Sequence, residues 1–143
     1  MKDPKQVIII RTDTEPKMRR GKQCAQGAHA SLAVVLSLLF GEYGNRTWEI
    51  NEEKQVVKAN VEIDMNSPFY QWINRIFKKV VVGGTLSQMT EAYQAAKKAG
   101  IPCSLIEDKG LTEFGGKITI TACAIGPDDP EKIDKITGHL SLL

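Results

Sequence analysis

Residues 17–39 read Lys-Met-Arg-Arg-Gly-Lys-Gln-Cys-Ala-Gln-Gly-Ala-His-Ala-Ser-Leu-Ala-Val-Val-Leu-Ser-Leu-Leu, so that a basic segment runs directly into an apolar one. In the apolar part, hydrophobic residues recur with the period of an α-helix. The spacing predicts a helix from about Gly21 to about Phe40. Its apolar stripe, of the kind that normally faces a protein core, comprises Ala25, Ala28, Leu32, Val35 or Leu36, and Leu39.

The basic segment stands at the N-terminal end of this predicted helix, where cations are mildly unfavourable. A helix N-terminus carries a partial positive charge and unpaired N–H groups. Several cations placed there indicate that an anion completes the site, and the phosphate of a nucleotide or a nucleic acid is the first candidate. A solvated basic turn that aids solubility is the alternative. The cations are Lys17, Arg19, Arg20 and Lys22, with Gly21 among them allowing close approach.

Strand and helix patterns alternate along the rest of the chain. The β-branched run at Gln6–Arg11 predicts a strand that is buried on both faces. Further strands are predicted at Val80–Val82, Cys103–Ile106 and Ile118–Ile125, and further helices after Ser67, over Thr85–Lys98 and from about Asp128 to Gly138. This order predicts an α/β fold, a single three-layer α/β/α domain around a mixed, mostly parallel four-stranded sheet. The domain spans 1–143, with an insertion at about 41–66 for which a small hairpin and an irregular segment both fit.

The predicted topology brings two distant polar residues together. Lys22 follows the first strand and Asp108 follows the third. Right-handed crossovers between parallel strands place the loops after these strands at the same edge of the sheet. We therefore expect Lys22 and Asp108 to lie close together, at the edge where open α/β proteins bind their ligands.

Composition sets the limits of this interpretation. A chain of 143 residues with 42% hydrophobic and 25% charged residues is typical of one globular domain. The formal net charge is only +2, so that any role in binding nucleic acid must rest on the local basic cluster. No Gly-x-Ser-x-Gly sequence is present, which argues against a serine hydrolase of the nucleophile-elbow type.

Cysteine and histidine usage narrows the setting. Cys24, Cys103 and Cys123 are widely spaced and odd in number, which predicts reduced thiols, a cytoplasmic location and buried packing roles. With only His29 and His139 present, a histidine-rich metal site is not expected. The N-terminus does not have the pattern of a signal peptide, and the most apolar run, Leu32–Phe40, is too short to cross a membrane.

Four motifs in order resemble those of the type II peptidyl-tRNA hydrolase family, with this chain as a bacterial-type member that carries an insertion. They are Lys-Met-Arg-Arg-Gly-Lys-x-x-Ala-Gln-x-x-His-Ala from Lys17, Asp-Lys-Gly-Leu-Thr from Asp108, Ala-Ile-Gly-Pro from Ala124 and Ile-Asp-Lys-Ile-Thr-Gly-His-Leu from Ile133. The resemblance implies a compact α/β/α domain that hydrolyses the ester between a peptide and the 3′ end of tRNA. It also implies tRNA as partner, no metal or organic cofactor, and a possible homodimer.

The resemblance also implies which residues form the site. Lys22, Asp108 and Thr112 match the functional positions, and Gln26 and His29 match the Ala-Gln-x-x-His helix. Ester hydrolysis needs an activated water, a donor for the developing oxyanion and a grip on the substrate. We expect Asp108 to orient or deprotonate water, Lys22 to stabilise the oxyanion or hold the terminal phosphate, and Thr112 to position the water or the carbonyl. Further contacts to the tRNA acceptor end are expected from Lys17, Arg19, Arg20 and Lys109.

Other interpretations are open at this point. The chain could be a non-catalytic RNA- or nucleotide-binding module of the same fold, or a hydrolase of another small acyl ester or amide. Asp108 before Lys109-Gly110 could be a turn residue, and Thr112 a loop cap. His29 lies near the apolar stripe and could be a semi-buried histidine that takes no part in proton transfer.

Overall fold

The computed structural model describes residues 2–110 and 114–143. Within them the chain forms six strands and four helices. In chain order these elements are β1 (Lys5–Arg11), α1 (Arg20–Phe40), β2 (Asn45–Asn51), β3 (Val56–Glu62), α2 (Pro68–Ile73), β4 (Lys79–Gly84), α3 (Leu86–Lys98), β5 (Cys103–Asp108), β6 (Thr119–Asp128) and α4 (Pro130–Thr137). The predicted helices and core strands are all present.

Four strands form the main sheet, in the order β4-β1-β6-β5. β1 pairs with β4 in parallel, but β6 is antiparallel to both β1 and β5. The prediction of a single α/β domain around a mixed four-stranded sheet is confirmed, and β1, β4 and β5 run in the same direction, but only the β1–β4 pair is parallel. The reason is that β6 returns directly after β5 and then inserts between β5 and β1, so that it opposes two strands at once.

Helices cover both faces of this sheet. On one face, α1 packs over Ile8 and Ile10 of β1 in a core shared with Ala122 and Ala124 of β6. On the other face, α3 and α4 pack over Val7 and Ile9. β1 is therefore buried on both sides, as its unbroken β-branched sequence predicts.

The buried face of α1 is not the predicted one. The residues facing the sheet are Gln26, Gly27, Ala30, Ser31 and Val34, while Leu32 and Leu36 of the predicted stripe are 55% and 45% exposed. Space explains the difference, since a Cβ at Gly27 would lie only 3.3 Å from Ile10 Cδ1. The helix approaches the branched side chains of β1 with its small residues and turns Leu32 and Leu36 outward. We call the exposed residues of the predicted stripe, Ala25, Ala28, Leu32 and Leu36, the outer stripe.

This outward hydrophobicity also bears on the membrane prediction. By length and composition alone, α1 could cross a membrane. The expectation that no segment reaches that length is therefore wrong, because the small residues of the first turns extend the apolar run beyond Leu32–Phe40. In this fold the inner side of α1 packs on the main sheet.

The insertion between α1 and α2 contains a β-hairpin, which is one of the two structures, a small hairpin or an irregular segment, that fit its sequence. β2 and β3 pair antiparallel from Asn45↔Glu62 to Asn51↔Val56 and form a sheet of their own. Trp48 of β2 stacks on Phe40 at the end of α1, with ring centroids 5.4 Å apart. Most of the hairpin is exposed, and its base is attached to the domain through α1.

The cysteines divide into two kinds. Cys103 and Cys123 are buried small residues of the core, as predicted. Burial raises the pKa of both thiols. The prediction of a buried Cys24 is wrong, because this residue lies about 200° around the helix from Gln26, on the exposed side of α1.

Candidate active site

Lys22 and Asp108 meet at the edge of the main sheet, as the sequence predicts. Lys22 stands in the first turn of α1 and Asp108 is the last residue of β5. Lys22 Nζ lies 2.5 Å from Asp108 Oδ2, and the two side chains are only 14% and 11% exposed. The Lys22 ammonium also lies 5.9 Å from the centroid of the Phe114 ring. The ion pair is thus largely enclosed by protein groups.

The carboxylate of Asp108 receives hydrogen bonds on both oxygens. Besides Lys22, Gln26 Nε2 donates to Oδ2 at 3.3 Å, and the Gly110 amide donates to Oδ1 at 2.5 Å. The hydrogen bond from Lys22 holds the pKa of Asp108 below its ordinary value, helped by the Gly110 amide and by the charges of Lys22 and His29, against the opposing effect of burial. These donors keep Asp108 charged and fix its orientation.

Gln26 is part of this hydrogen-bonded cluster and is itself buried. Its Oε1 accepts a hydrogen bond of 2.5 Å from Oγ1 of Thr121, a fully buried residue and the third of β6. The chain of contacts runs from Thr121 through Gln26 and Asp108 to Lys22. Sequence reasoning missed Thr121, although its hydroxyl beside the apolar run of residues 122–125 was a usable signal, since buried hydroxyls need partners.

His29 extends the same side of α1. Lys22, Gln26 and His29 follow one another at positions i, i+4 and i+7, which share one face of a helix. The His29 side chain is exposed, and it lies near enough to Asp108 for its charge to lower the pKa of that carboxyl. The arrangement therefore combines a fixed cation with an exposed imidazole along one helix face.

Cations surround the start of α1. Lys17, Arg19, Arg20 and Lys109 are all exposed. Residues 17–24 all belong to the described part of the chain. There, the side chain of the N-cap residue Arg19 does not accept a capping hydrogen bond from the first turn of α1, and that turn contains no acidic residue. The end of the helix is thus suited to an incoming anion. Thr112 lies outside the described residues, and among the described ones no group of three potential metal ligands occurs.

Chemically, this arrangement suits reactions in which negative charge develops. A desolvated ammonium group stabilises an oxyanion more strongly than an ammonium in water does, because the local dielectric constant is lower. The surrounding exposed cations would bind a polyanionic substrate beside it. The site thus offers a charge-stabilising centre within a cationic surface.

The chain is similar to known proteins in sequence and in fold. The sequence profile of the family described as peptidyl-tRNA hydrolase PTH2 matches residues 4–143. Among similar proteins, the peptidyl-tRNA hydrolase of Methanothermobacter thermautotrophicus is 40% identical over 139 residues, covering 97% of this chain and 99% of the relative. That of Methanocaldococcus jannaschii is 35% identical over 142 residues, covering 97% and 99% of the two chains. The solved structure of a protein of unknown function from Agrobacterium tumefaciens strain C58 has a TM-score of 0.56 at 16% identity, covering 100% of this chain and 99% of the other, and is similar in fold.

Proposed function

This chain belongs to the type II peptidyl-tRNA hydrolase family, and we propose that it hydrolyses the ester bond of peptidyl-tRNA at the Lys22–Asp108 pair. The reaction frees the 3′ end of tRNA from a peptidyl or N-blocked aminoacyl group. Family membership favours this activity over a non-catalytic binding module. The observation that carries the location is the enclosed ion pair beside the basic start of α1.

Lys22 is the electrophilic group in this proposal. Attack of water on the ester carbonyl places negative charge on the carbonyl oxygen, and a positioned ammonium stabilises that charge. Asp108 holds the ammonium in place through Oδ2, which lies 2.5 Å from Lys22 Nζ. The Lys22 side chain keeps 14% of its surface exposed, and the ester carbonyl would approach the ammonium there, beside Asp108.

Asp108 serves better as an anchor than as a base. Its lowered pKa makes it a weak proton acceptor near neutral pH, since a good general base has a pKa near the working pH. Of the two roles that the sequence suggests for Asp108, orientation is therefore the one we propose. His29, exposed on the same helix face, is our candidate for the group that takes the proton from water. The role of Thr112 in positioning water or carbonyl stays a prediction.

The cations around the site would hold the tRNA acceptor end. Lys17, Arg19, Arg20 and Lys109 are exposed and can contact backbone phosphates. The uncapped start of α1 adds backbone N–H groups that favour an anion. Gln26, which the sequence suggests for substrate binding, is enclosed by protein groups, and we assign it to the support of Asp108 instead.

Hydrolysis of an N-blocked aminoacyl-tRNA by the purified protein tests the proposal directly. We expect release of tRNA from the blocked substrate and no release from free aminoacyl-tRNA. Lys22→Ala and Asp108→Asn should both remove turnover. Salt-dependent binding of tRNA without release would identify a binding module, and hydrolysis of small acyl esters alone would identify another esterase.

We further propose that two copies of the chain associate through the outer stripe. The stripe borders a groove of about 480 Å³ whose lining includes Ala28, Val81 and Leu143. Leu32, Val81 and Leu143 are all exposed, and large exposed apolar patches mark protein interfaces.

A cytoplasmic location is proposed because all three cysteines are free thiols and the substrate is a product of translation.

A further inference from the structure

We propose that Thr121 is a positioning residue for the hydrolysis, acting through Gln26 on the carboxylate of Asp108. The inference rests on the proposed function for its catalytic consequence, but the contact that carries it is independent of any substrate. Thr121 does not touch a substrate at the surface, because it is fully buried in β6 beneath α1. Its effect must therefore be transmitted through its partner.

The transmission follows from the hydrogen-bonding capacity of an amide side chain. Thr121 Oγ1 donates to Gln26 Oε1 at 2.5 Å, and Gln26 Nε2 donates to Asp108 Oδ2 at 3.3 Å. A carboxylate can only accept, so that Gln26 must present its NH₂ group to Asp108 and its oxygen elsewhere. Thr121 supplies the donor that this oxygen needs in a buried position.

Without the Thr121 hydroxyl, the orientation of Gln26 that donates to Asp108 would cost free energy. Its Oε1 would be a buried acceptor facing an apolar group, and an unsatisfied buried acceptor is costly. Rotation of the amide relieves that cost only by withdrawing the donor from Asp108. Because Lys22 Nζ and Gln26 Nε2 bond to the same oxygen of Asp108, the carboxylate would then lose one of the groups that fix its plane.

The consequence for catalysis concerns the position of Lys22. A carboxylate with one fewer donor is less firmly oriented, so that the ammonium it anchors samples more positions. Loss of a hydrogen bond to a charged group of this kind corresponds to a decrease in kcat of about 10-fold. Binding of tRNA through the exposed cations should change little, because Thr121 is remote from them. The expected signature is thus a change in kcat rather than in KM.

Three variants separate positioning from simple packing. Thr121→Val removes the hydroxyl and keeps the β-branched shape that suits a strand. Thr121→Ser keeps the hydroxyl and removes the methyl group. Thr137→Val is the matched control, since Thr137 is also buried and its hydroxyl donates to the Ile133 carbonyl oxygen within α4.

The readouts are the steady-state kinetics on N-blocked aminoacyl-tRNA and the titration of the Asp108 carboxyl followed by ¹³C NMR. We expect Thr121→Val to lower kcat about 10-fold and to raise the pKa of Asp108, because a donor to its charged form is withdrawn. Thr121→Ser and Thr137→Val should resemble the wild type in both measurements. A double variant with Gln26→Leu should be no worse than Gln26→Leu alone, since both changes break the same chain of contacts.

Two results would overturn the inference. One is a Thr121→Val protein with wild-type kcat and wild-type titration of Asp108. The other is an equal change in Thr121→Val and Thr121→Ser, which would show that the methyl group and packing matter instead. If the wild-type protein fails to hydrolyse the substrate, the proposed function is wrong, and the Asp108 titration still decides whether Thr121 acts on that carboxylate.

Discussion

Ser31 of α1 donates a hydrogen bond of 2.6 Å to Gln6 Oε1 of β1, and both side chains are buried. Gln6 in turn donates through Nε2 to the Gly126 carbonyl oxygen of β6 at 3.1 Å. The pair ties α1 to two strands of the sheet at one defined position along the helix. It thereby helps to fix where α1 lies along its axis relative to the sheet. That position determines whether Lys22, nine residues earlier in α1, reaches Asp108.

Ser31→Ala tests this tie. The change leaves Gln6 Oε1 as a buried acceptor without its donor, and we expect a loss of about 1–3 kcal/mol in the free energy of unfolding. Urea denaturation measures it. Ser37→Ala is the control, because the Ser37 hydroxyl donates to the Ala33 carbonyl oxygen within its own helix. A loss no larger in Ser31→Ala than in Ser37→Ala would mean that the link between α1 and β1 does not stabilise the fold.

Lys22→Ala should be the most damaging single change for catalysis. Removal of one group that stabilises an oxyanion costs about 100- to 1,000-fold in kcat. Rates with N-blocked aminoacyl-tRNA at saturating concentration measure the effect. Lys132→Ala, at an exposed position in α4 on the other side of the sheet, is the matched control for charge and should retain the wild-type rate. Lys22→Ala with unchanged kcat and a raised KM would assign Lys22 to substrate binding alone.

The pH dependence of stability should reveal the lowered pKa of Asp108. A group whose pKa is lower in the folded state stabilises the fold above its unfolded value, near 3.8, and that contribution is lost as the pH falls through the folded value. The difference in unfolding free energy between wild type and Asp108→Asn should therefore be largest above pH 3.8 and shrink in stronger acid. Denaturation curves from neutral to acid pH measure it. A difference that grows as the pH falls would contradict the assignment.

Activity between about pH 5 and 8 should report on a different group, because Asp108 is ionised throughout that range. We expect an acid limb in the profile of kcat/KM that is absent in His29→Ala, together with a reduced plateau rate. His139→Ala, at an exposed position after α4, is the control and should keep the wild-type profile. An acid limb that survives in His29→Ala would remove His29 from the role of base.

Binding of tRNA should depend on salt through the cations around the start of α1. Each phosphate contact that is lost lowers the slope of log affinity against log salt by about 1. Arg20→Ala should therefore weaken binding and flatten this slope, whereas Lys135→Ala in α4 should change neither. Titrations at several salt concentrations with a hydrolysis-resistant acylated tRNA measure both quantities. Equal slopes in Arg20→Ala and the wild type would place the acceptor end on another surface.

The outer stripe of α1 should control association. We expect the wild type to sediment at twice the 15.8 kDa mass of one chain, and Leu32→Asp to sediment as a monomer, because a buried carboxylate at an apolar interface is strongly unfavourable. Ile50→Asp is the control, since Ile50 is also an exposed hydrophobic residue but lies on the hairpin. Dissociation by Ile50→Asp alone would move the interface to β2–β3.

Much of this architecture could be predicted from local patterns. The unbroken β-branched run of β1, the proline and capping residues of α2, α3 and α4, and the glycines between elements each act within a few residues of sequence. The meeting of Lys22 and Asp108 followed from placing two loops at one sheet edge. That argument holds because β5 runs the same way as β1, with β6 opposed to both.

The wrong predictions concern features that depend on tertiary packing, where the local sequence fits two structures equally well. α1 is apolar on two sides, and periodicity selected the side with the larger residues. Only the crowded surface of β1, in contact with Gly27, shows why the small residues face inward. Thr121 was overlooked because a threonine in a strand is ordinary by propensity, and its partner Gln26 is 95 positions away in the sequence. Cys24 is exposed because it lies on the side of α1 that faces away from the sheet.

The hairpin β2–β3 has a practical consequence for work with this protein. Its turn, over residues 52–55, is exposed, and within residues 2–110 and 114–143 the two strands form a two-stranded sheet separate from the one that holds Asp108. Exposed tips of this kind tolerate inserted sequence well. A fluorescent label or an affinity tag placed between Glu53 and Lys54 would give a handle for single-molecule or immobilised assays without altering either chain terminus.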